Sequence, residues 1–266
     1  MAYHIVVCAG IVPDPLQALE PVMGPAGPAL KNEAMLPAVL DPWGAHALFE
    51  GANLAHQHPG SRLWLVSVAP KAKLQQVMMI VAQKVPFELV AIDGPANGFT
   101  DAPAIASALA DAIAAIPGLD RENLLLFGGW ESASRAAGVT LQIVGERLGI
   151  GDQFYGVDAL SVGSDGSFEI LERVEGGQHQ VSVCAGAPAV LGWATGSLHE
   201  PPNNPQLGMT NMRLLMPALQ KARAAAASNG IAFSAVTVPS QRRGTRVVKD
   251  LAPDAVAKEI VDWIRQ

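Results

Sequence analysis

The sequence is poor in the residues that mark several large classes of protein. It has only two cysteines, Cys8 and Cys184, which excludes a disulfide framework and favours a reducing, cytoplasmic setting with buried thiols. Its six histidines are scattered singly, so no metal site is expected. The net charge of −6 argues against nucleic acid as a general partner.

Long hydrophobic runs are also missing. No apolar run reaches the roughly 18 residues that a membrane helix needs, so no membrane insertion is expected. The first residues, MAYHIVVCAG, lack the basic region of a signal peptide and predict a strand instead. Yet half of the 266 residues are hydrophobic and only 16% are charged. This combination predicts a deeply buried sheet together with a permanent partner surface.

The first two thirds of the chain alternate between strand-like and helix-like segments. Short apolar runs predict strands, and apolar residues at helical spacing predict helices. The strands are predicted at residues 4–9, 62–68, 87–92 and 123–127, and the helices at 44–58, 72–83, 101–116 and 134–148. Asp41 and Pro42 are a typical cap and first-turn pair for the first helix. This order predicts a parallel sheet with helices on both faces.

The pattern changes after residue 150. Gly-Ser-Asp-Gly at 163–166 and Glu-Gly-Gly at 175–177 separate short strand candidates, so residues 155–195 are predicted to form antiparallel hairpins. Residues 196–211 are rich in proline and asparagine, which predicts irregular structure. A helix is expected at 217–228, extended and partly basic chain at 231–250, and a final helix at 250–266.

The predicted fold is therefore α/β: a mostly parallel, doubly wound sheet with an antiparallel addition and an extended C-terminal arm. We expect residues 1–195 to form the α/β domain and residues 196–266 to form the arm.

A parallel sheet binds its ligand at the carboxyl ends of its strands. Gly128 and Gly129 follow a predicted strand and permit close approach of backbone to a phosphate, and Ser132, Ser134 and Arg135 can donate to that anion. The glycines match neither a Walker loop nor a dinucleotide fingerprint. On spacing alone, a nucleotide site and ordinary turn glycines both remain open. The candidate loops are residues 8–10, 41–44, 68–70 and 128–138.

Catalytic patterns are missing from the sequence. There is no Gly-x-Ser-x-Gly elbow, and neither cysteine has a neighbouring histidine. Paired carboxylates of the last helix are expected on a solvated face. Trp43 and Trp130 lie in the candidate loops and are therefore less typical of core than the other tryptophans. We expect no catalytic activity from this chain on its own.

The order of several short segments resembles the β-subunit family of electron transfer flavoproteins from one end of the chain to the other. The matching segments are DPWG at 41–44, SVAP at 67–70, the strand and polar loop at 124–138, EGG at 175–177, PAVL at 188–191, the stretch 199–212, and PSQRRG at 239–244.

This resemblance implies an adenine-nucleotide α-hydrolase-like fold in the small subunit of a heterodimer. The partner α-subunit would carry FAD, and this chain would bind AMP and help relay electrons from flavin-dependent dehydrogenases. The implied nucleotide contacts are Cys8, Asp41, Pro42, Trp43, Gly44, Val68, Gly128, Gly129, Trp130, Ser132, Ser134, Arg135, Gly138 and Val139.

The resemblance also implies a dehydrogenase-docking loop at residues 196–211. Leu198 or Leu207 would be its apolar anchor, with Glu200 and Pro201 beside it.

The chain departs from the family pattern at the nucleotide loop. The usual aspartates and Gln-Thr pair are absent from GGWESASR (128–135), and Asp41 stands where the family has asparagine. Arg135 is a candidate to compensate as a phosphate partner. Two alternatives therefore stay open: a bifurcating type with a second FAD in this chain, and a stand-alone adenine-nucleotide-binding protein.

Overall fold

The computed structural model describes residues 1–25, 27–95, 98–134, 136–225, 230, 233–237 and 247–265. The strands are β1 (His4–Cys8), β2 (Ile11–Pro13), β3 (Pro21–Gly24), β4 (Gly27–Leu30), β5 (Ala38–Leu40), β6 (Arg62–Ala69), β7 (Glu88–Asp93), β8 (Leu124–Gly129), β9 (Gln153–Val162), β10 (Phe168–Val174), β11 (Gln178–Cys184), β12 (Ala189–Trp193) and β13 (Arg223–Ala224). The α-helices are α1 (Pro42–Gln57), α2 (Lys71–Val81), α3 (Ala102–Ala114), α4 (Thr140–Arg147), α5 (Pro205–Gln220) and α6 (Pro253–Ile264).

Nine of the described strands form one sheet in the order β11-β10-β9-β12-β8-β1-β6-β7-β13. Pairing is parallel from β9 across to β13 and antiparallel between β9, β10 and β11. Two small antiparallel sheets, β2–β5 and β3–β4, lie outside it. The predicted α/β class, with a mostly parallel central sheet and an antiparallel addition, is therefore confirmed.

Helices cover both faces of the parallel strands, which explains why those strands are apolar along their whole length. Successive residues of β1 point to opposite faces: Ile5 and Val7 belong to a core shared with α1, α2 and α5. Val6 belongs to a second core shared with α3 and α4.

Local signals place α1 as the sequence predicts. Asp41 is its N-cap, accepting a hydrogen bond from the Trp43 backbone N–H at 3.1 Å, and Pro42 occupies the first turn. Proline has no backbone N–H, so in the first turn it leaves no donor without an acceptor and does not distort the helix.

Two expectations about the middle of the chain are wrong. Helix α4 begins at Thr140 and not at residue 134, because Ala136 and Gly138 have positive φ angles that interrupt a helix. Within 155–195, only β9–β11 are antiparallel, while β12 is a buried strand paired parallel with β8 and β9.

The segment 196–211 is also not wholly irregular. Helix α5 begins at Pro205 and ends at Gln220, which replaces the helix expected at 217–228. The Asn204 side chain accepts from the backbone N–H groups of Gln206 and Leu207, so the Asn-Pro pair starts a helix here.

Helix α5 packs into the main core through buried Leu215 and Leu219. The described part that follows residue 195 therefore starts with an element of the α/β core. The division of the chain at residue 195 stays a prediction. Most of the extended stretch expected at 231–250 falls outside the described residues.

Every described residue of α6 is exposed, including Val256, Ile260, Trp263 and Ile264, which lie on one side of the helix at spacings of four, three and one. Among the described residues, no helix is long and apolar enough to cross a membrane.

Asn211 is a buried polar link between α5 and the end of α2. It is 3% exposed, and its Nδ2 donates to the carbonyl oxygens of Ala82 (2.7 Å) and Val85 (3.1 Å). We expect Asn211→Ala to lower the free energy of unfolding by about 1–3 kcal/mol, because two buried carbonyls lose their donor. Urea denaturation monitored by circular dichroism measures this change.

The matched control is Asn203→Ala at an exposed position, for which we expect a change within ~0.5 kcal/mol. Equal stabilities of the two variants would show that Asn211 does not hold α5 in place.

Candidate functional site

The sheet contains a point where the chain reverses its direction of travel across the strands. From β1 the chain moves outward to β6 and then β7, and α3 carries it back to β8 on the other side of β1. The carboxyl ends of β1 and β8 are therefore neighbours whose following loops separate. Open α/β sheets bind ligands in the crevice at such a point.

A cavity of about 160 Å³ lies in this crevice. A second hollow of about 80 Å³ adjoins it at the start of α4. Of the residues predicted as nucleotide contacts, the first is lined by Cys8, Asp41, Gly44, Val68, Gly129, Ser132 and Ser134. The second is lined by Gly129, Ser132, Gly138 and Val139. The structure thus brings together residues from four separate loops at one place.

Four other predicted contacts do not line either hollow and belong to the elements next to them. Pro42 and Trp43 form the first turn of α1. Gly128 pairs with Cys8 and Gly192 inside the sheet, and an added Cβ there would lie 3.0 Å from Leu141 Cδ1.

Trp130 is the fourth of these residues. Its backbone N–H donates to the Trp193 carbonyl at 3.0 Å, and its ring lies near Gly156 of β9. Arg135, the predicted phosphate partner, lies outside the described residues.

Sequence reasoning missed the apolar end of the cavity. Ile105 and Leu109 on α3 and Leu141 on α4 line it together with Cys8 and Val68. On a helix, such residues have the spacing of ordinary core positions, so the sequence carried no signal that separates them from the core. This end suits a flat, uncharged group such as a nucleobase.

Asp41 fixes the geometry of the polar end. The side chain is buried, and its Oδ2 accepts from the Ala133 N–H at 2.9 Å while Oδ1 accepts from Trp43. Burial raises the pKa of Asp41 above its usual range, and nearby Glu131 acts in the same direction. Hydrogen bonds from the backbone of Ala133, Trp43 and Gly44 oppose that shift. The carboxylate therefore joins the start of α1 to the loop after β8.

The same loop turns into α4 through Gly138. Its φ angle is 63°, and an added Cβ would collide with the Trp130 carbonyl oxygen. Val139, the N-cap, makes no side-chain capping bond. The start of α4, with the partial positive charge of a helix N-terminus, lines the second hollow through Val139, Thr140 and Leu141. Thr140 adds a hydroxyl beside them. This end of the site can hold an anion.

Cys8 is not a nucleophile here. Burial raises the pKa of its thiol to about 12, so the reactive thiolate is disfavoured at neutral pH. Among the residues that the structure describes, no group of His, Cys, Asp and Glu side chains can hold a metal ion.

The predicted docking residues lie on a different surface, and their segment is held at both ends. Near its start, Glu50 of α1 accepts from the backbone N–H groups of Ser197 (2.6 Å) and Leu198 (3.2 Å). Near its end, Lys84 pairs with Glu200 at 2.8 Å and donates to the Pro201 carbonyl at 3.0 Å. Leu198 is half-buried at the first attachment.

Leu207, the other proposed anchor, lies in the first turns of α5 and is partly buried. The two candidate anchors therefore belong to different kinds of structure, one to an irregular segment and one to a helix.

No family model and no curated protein matches this chain.

Gly138 provides a test of the loop geometry. We expect Gly138→Ala to lower the free energy of unfolding by more than the ~1–2 kcal/mol that a positive φ costs a non-glycine residue, because its Cβ also meets the Trp130 carbonyl. Chemical denaturation of Gly138→Ala, of a control variant and of the parent chain measures the difference in the free energy of unfolding.

Gly149→Ala is the matched control, since Gly149 has a φ of 74° but no atom within 4 Å of an added Cβ. In this control, only the free-energy cost of a positive φ angle at alanine is expected. If Gly138→Ala proved no more costly than Gly149→Ala, the close approach at Trp130 would be wrong.

Proposed function

We propose that this chain is the small, β-type subunit of a heterodimeric electron transfer flavoprotein. In this proposal it binds AMP in the cavity between β1 and β8, and a larger α-subunit carries the FAD that exchanges electrons with flavin-dependent dehydrogenases. The chain acts as an electron-carrier subunit and not as a catalyst. The finer fold, that of the adenine-nucleotide α-hydrolases, is part of the same proposal.

The observation that supports this proposal most is the composition of the cavity. It lies where an α/β sheet binds its ligand, and residues of four loops with the family's motif order meet there. One end is apolar, and the other has hydroxyl groups and the N-terminus of α4. A nucleotide has the same two-part character, with a flat base at one end and a phosphate at the other.

The size of the site favours AMP over a second FAD. Pockets for drug-sized ligands commonly enclose about 300–1,000 Å³, and the two hollows enclose about 160 and 80 Å³. Both hollows lie below that range, so a smaller ligand is favoured over a dinucleotide. A dinucleotide such as FAD would need a substantial opening of the loops.

Orientation follows from the same features. The base would lie against Val68, Ile105 and Leu109, where no charge is buried. The phosphate would lie at the second hollow, close to Thr140 and the first N–H groups of α4.

The exposed apolar side of α6 supports the heterodimer. Trp263 and Ile264 are 80% and 78% exposed, and large apolar side chains side by side on a surface are typical of a partner interface. A stand-alone protein has no evident use for such a helix. We propose that α6 packs on the α-subunit, and that the segment held by Glu50 and Lys84 recognises the dehydrogenase.

Filling the cavity tests nucleotide binding. Gly10 lines the cavity, and an added Cβ there meets open space. We expect Gly10→Val, in the complex with a candidate α-subunit, to weaken AMP binding at least about tenfold, or ~1.4 kcal/mol, because the side chain takes the place of the ligand. Calorimetric titration and chromatography of released nucleotide measure the effect.

Gly151→Val is the control, since Gly151 also meets open space but does not line the cavity. Release of two FAD and no AMP from the unaltered complex would favour the bifurcating type. A lone, nucleotide-bound chain that forms no 1:1 complex would favour a stand-alone protein.

A charge on the apolar side of α6 tests the partner surface. We expect Ile260→Asp to weaken association with the α-subunit at least about tenfold, because an unpaired carboxylate is costly to bury. The lone chain should keep its stability, since Ile260 is already exposed. Lys258→Asp, at an exposed polar position of the same helix, is the control. Size-exclusion chromatography with light scattering distinguishes the two, and equal effects would contradict the assignment of this side.

A further inference from the structure

Glu131 occupies the junction of the two hollows. It lines both of them, as do Gly129, Ser132 and Thr140. Any ligand that extends from the apolar end to the N-terminus of α4 therefore passes this carboxylate. The side chain is partly exposed, so it faces the ligand space without being sealed in the core.

The described residues that line the two hollows include no lysine or arginine, and Arg135 of the same loop lies outside the described residues. The Glu131 carboxylate makes no hydrogen bond or ion pair with any part of the chain that the structure describes. Its charge is close enough to Asp41 to favour the protonated form of that group. The Asp41 carboxylate is itself occupied by the backbone of Ala133 and Trp43. The Glu131 carboxylate therefore faces the ligand space without a partner among the described residues.

The donors described at this end are uncharged. They are the backbone N–H groups in the first turn of α4 and the hydroxyl groups of Thr140 and Ser132. One phosphate can use these donors and the partial charge of the helix end. A second phosphate brings further negative charge, gains no basic side chain among the described lining residues, and lies within reach of the Glu131 carboxylate.

We propose that Glu131 limits the cavity to nucleotides with a single phosphate, and that it excludes ADP and ATP by charge repulsion. This inference rests on the proposed nucleotide site and names the residue that determines its specificity. Specificity of this kind comes from a repulsive element placed against the wrong ligand, not from an added contact to the right one.

The test is a titration of the heterodimer, freed of bound nucleotide, with adenosine, AMP, ADP and ATP in the presence of EDTA. EDTA removes divalent cations that would mask phosphate charge. We expect the unaltered protein to bind AMP at least about tenfold more tightly than ADP, which corresponds to ~1.4 kcal/mol. Glu131→Gln keeps the shape but removes the charge, so the preference should fall to about threefold or less.

Adenosine has no phosphate, and its affinity should be the same in both proteins, which shows that the variant is folded. Glu146→Gln is the matched control, because Glu146 lies on α4 but lines neither hollow. It should keep the preference for AMP.

Two results would overturn the inference. If adenosine and AMP bind but the ratio of AMP to ADP affinity is the same with and without the Glu131 charge, Glu131 does not set the specificity, while the nucleotide site stands. If neither adenosine nor any nucleotide binds the unaltered heterodimer, the proposed nucleotide site fails and the inference fails with it.

Discussion

One buried carboxylate determines the form of the candidate site. Asp41 caps α1 through the Trp43 N–H and holds the loop after β8 through the Ala133 N–H. These two elements come from distant parts of the sequence, and Gly129 also packs closely against Trp43 at the same junction. Because a buried carboxylate must have donors to balance its lost hydration, the loop has to approach α1. The cavity is the space that remains above this junction.

The topology of the sheet makes that junction possible. Strands β1 and β8 are neighbours, yet their following loops run to opposite faces. Asp41 spans the gap at one side, and Gly138 lets the loop turn into α4 at the other. The positions of the backbone groups at the polar end of the site therefore depend on two features, the Asp41–Ala133 hydrogen bond and the positive φ angle of Gly138.

The sequence predicted the alternating part of the fold well, because its signals there are local. Asp41 and Pro42 mark the start of α1, and the apolar runs before residues 69 and 129 mark strands that are buried on both faces. The same loops also predicted where the cavity lies. The position of a loop at the carboxyl end of a parallel strand follows from element order alone.

The remaining features depend on tertiary packing. The sequence predicts a strand at β12 but not its parallel pairing, because an apolar run of five residues does not reveal the direction of the neighbouring strands. Helix α5 was missed because prolines and asparagines that usually interrupt structure here start a helix at Asn204. Ile105 and Leu109 have the spacing of core residues on a helix, and only the three-dimensional structure separates them from the rest of the core.

The attachments of residues 196–204 have a consequence for recognition kinetics. Glu50 holds one end through two backbone bonds and Lys84 holds the other, so the conformational entropy of this segment is already lost when the protein folds. A molecule that bound to this segment would meet a conformation already in place, and little further conformational entropy would be lost on binding. Association and dissociation there would not have to wait for the chain to rearrange.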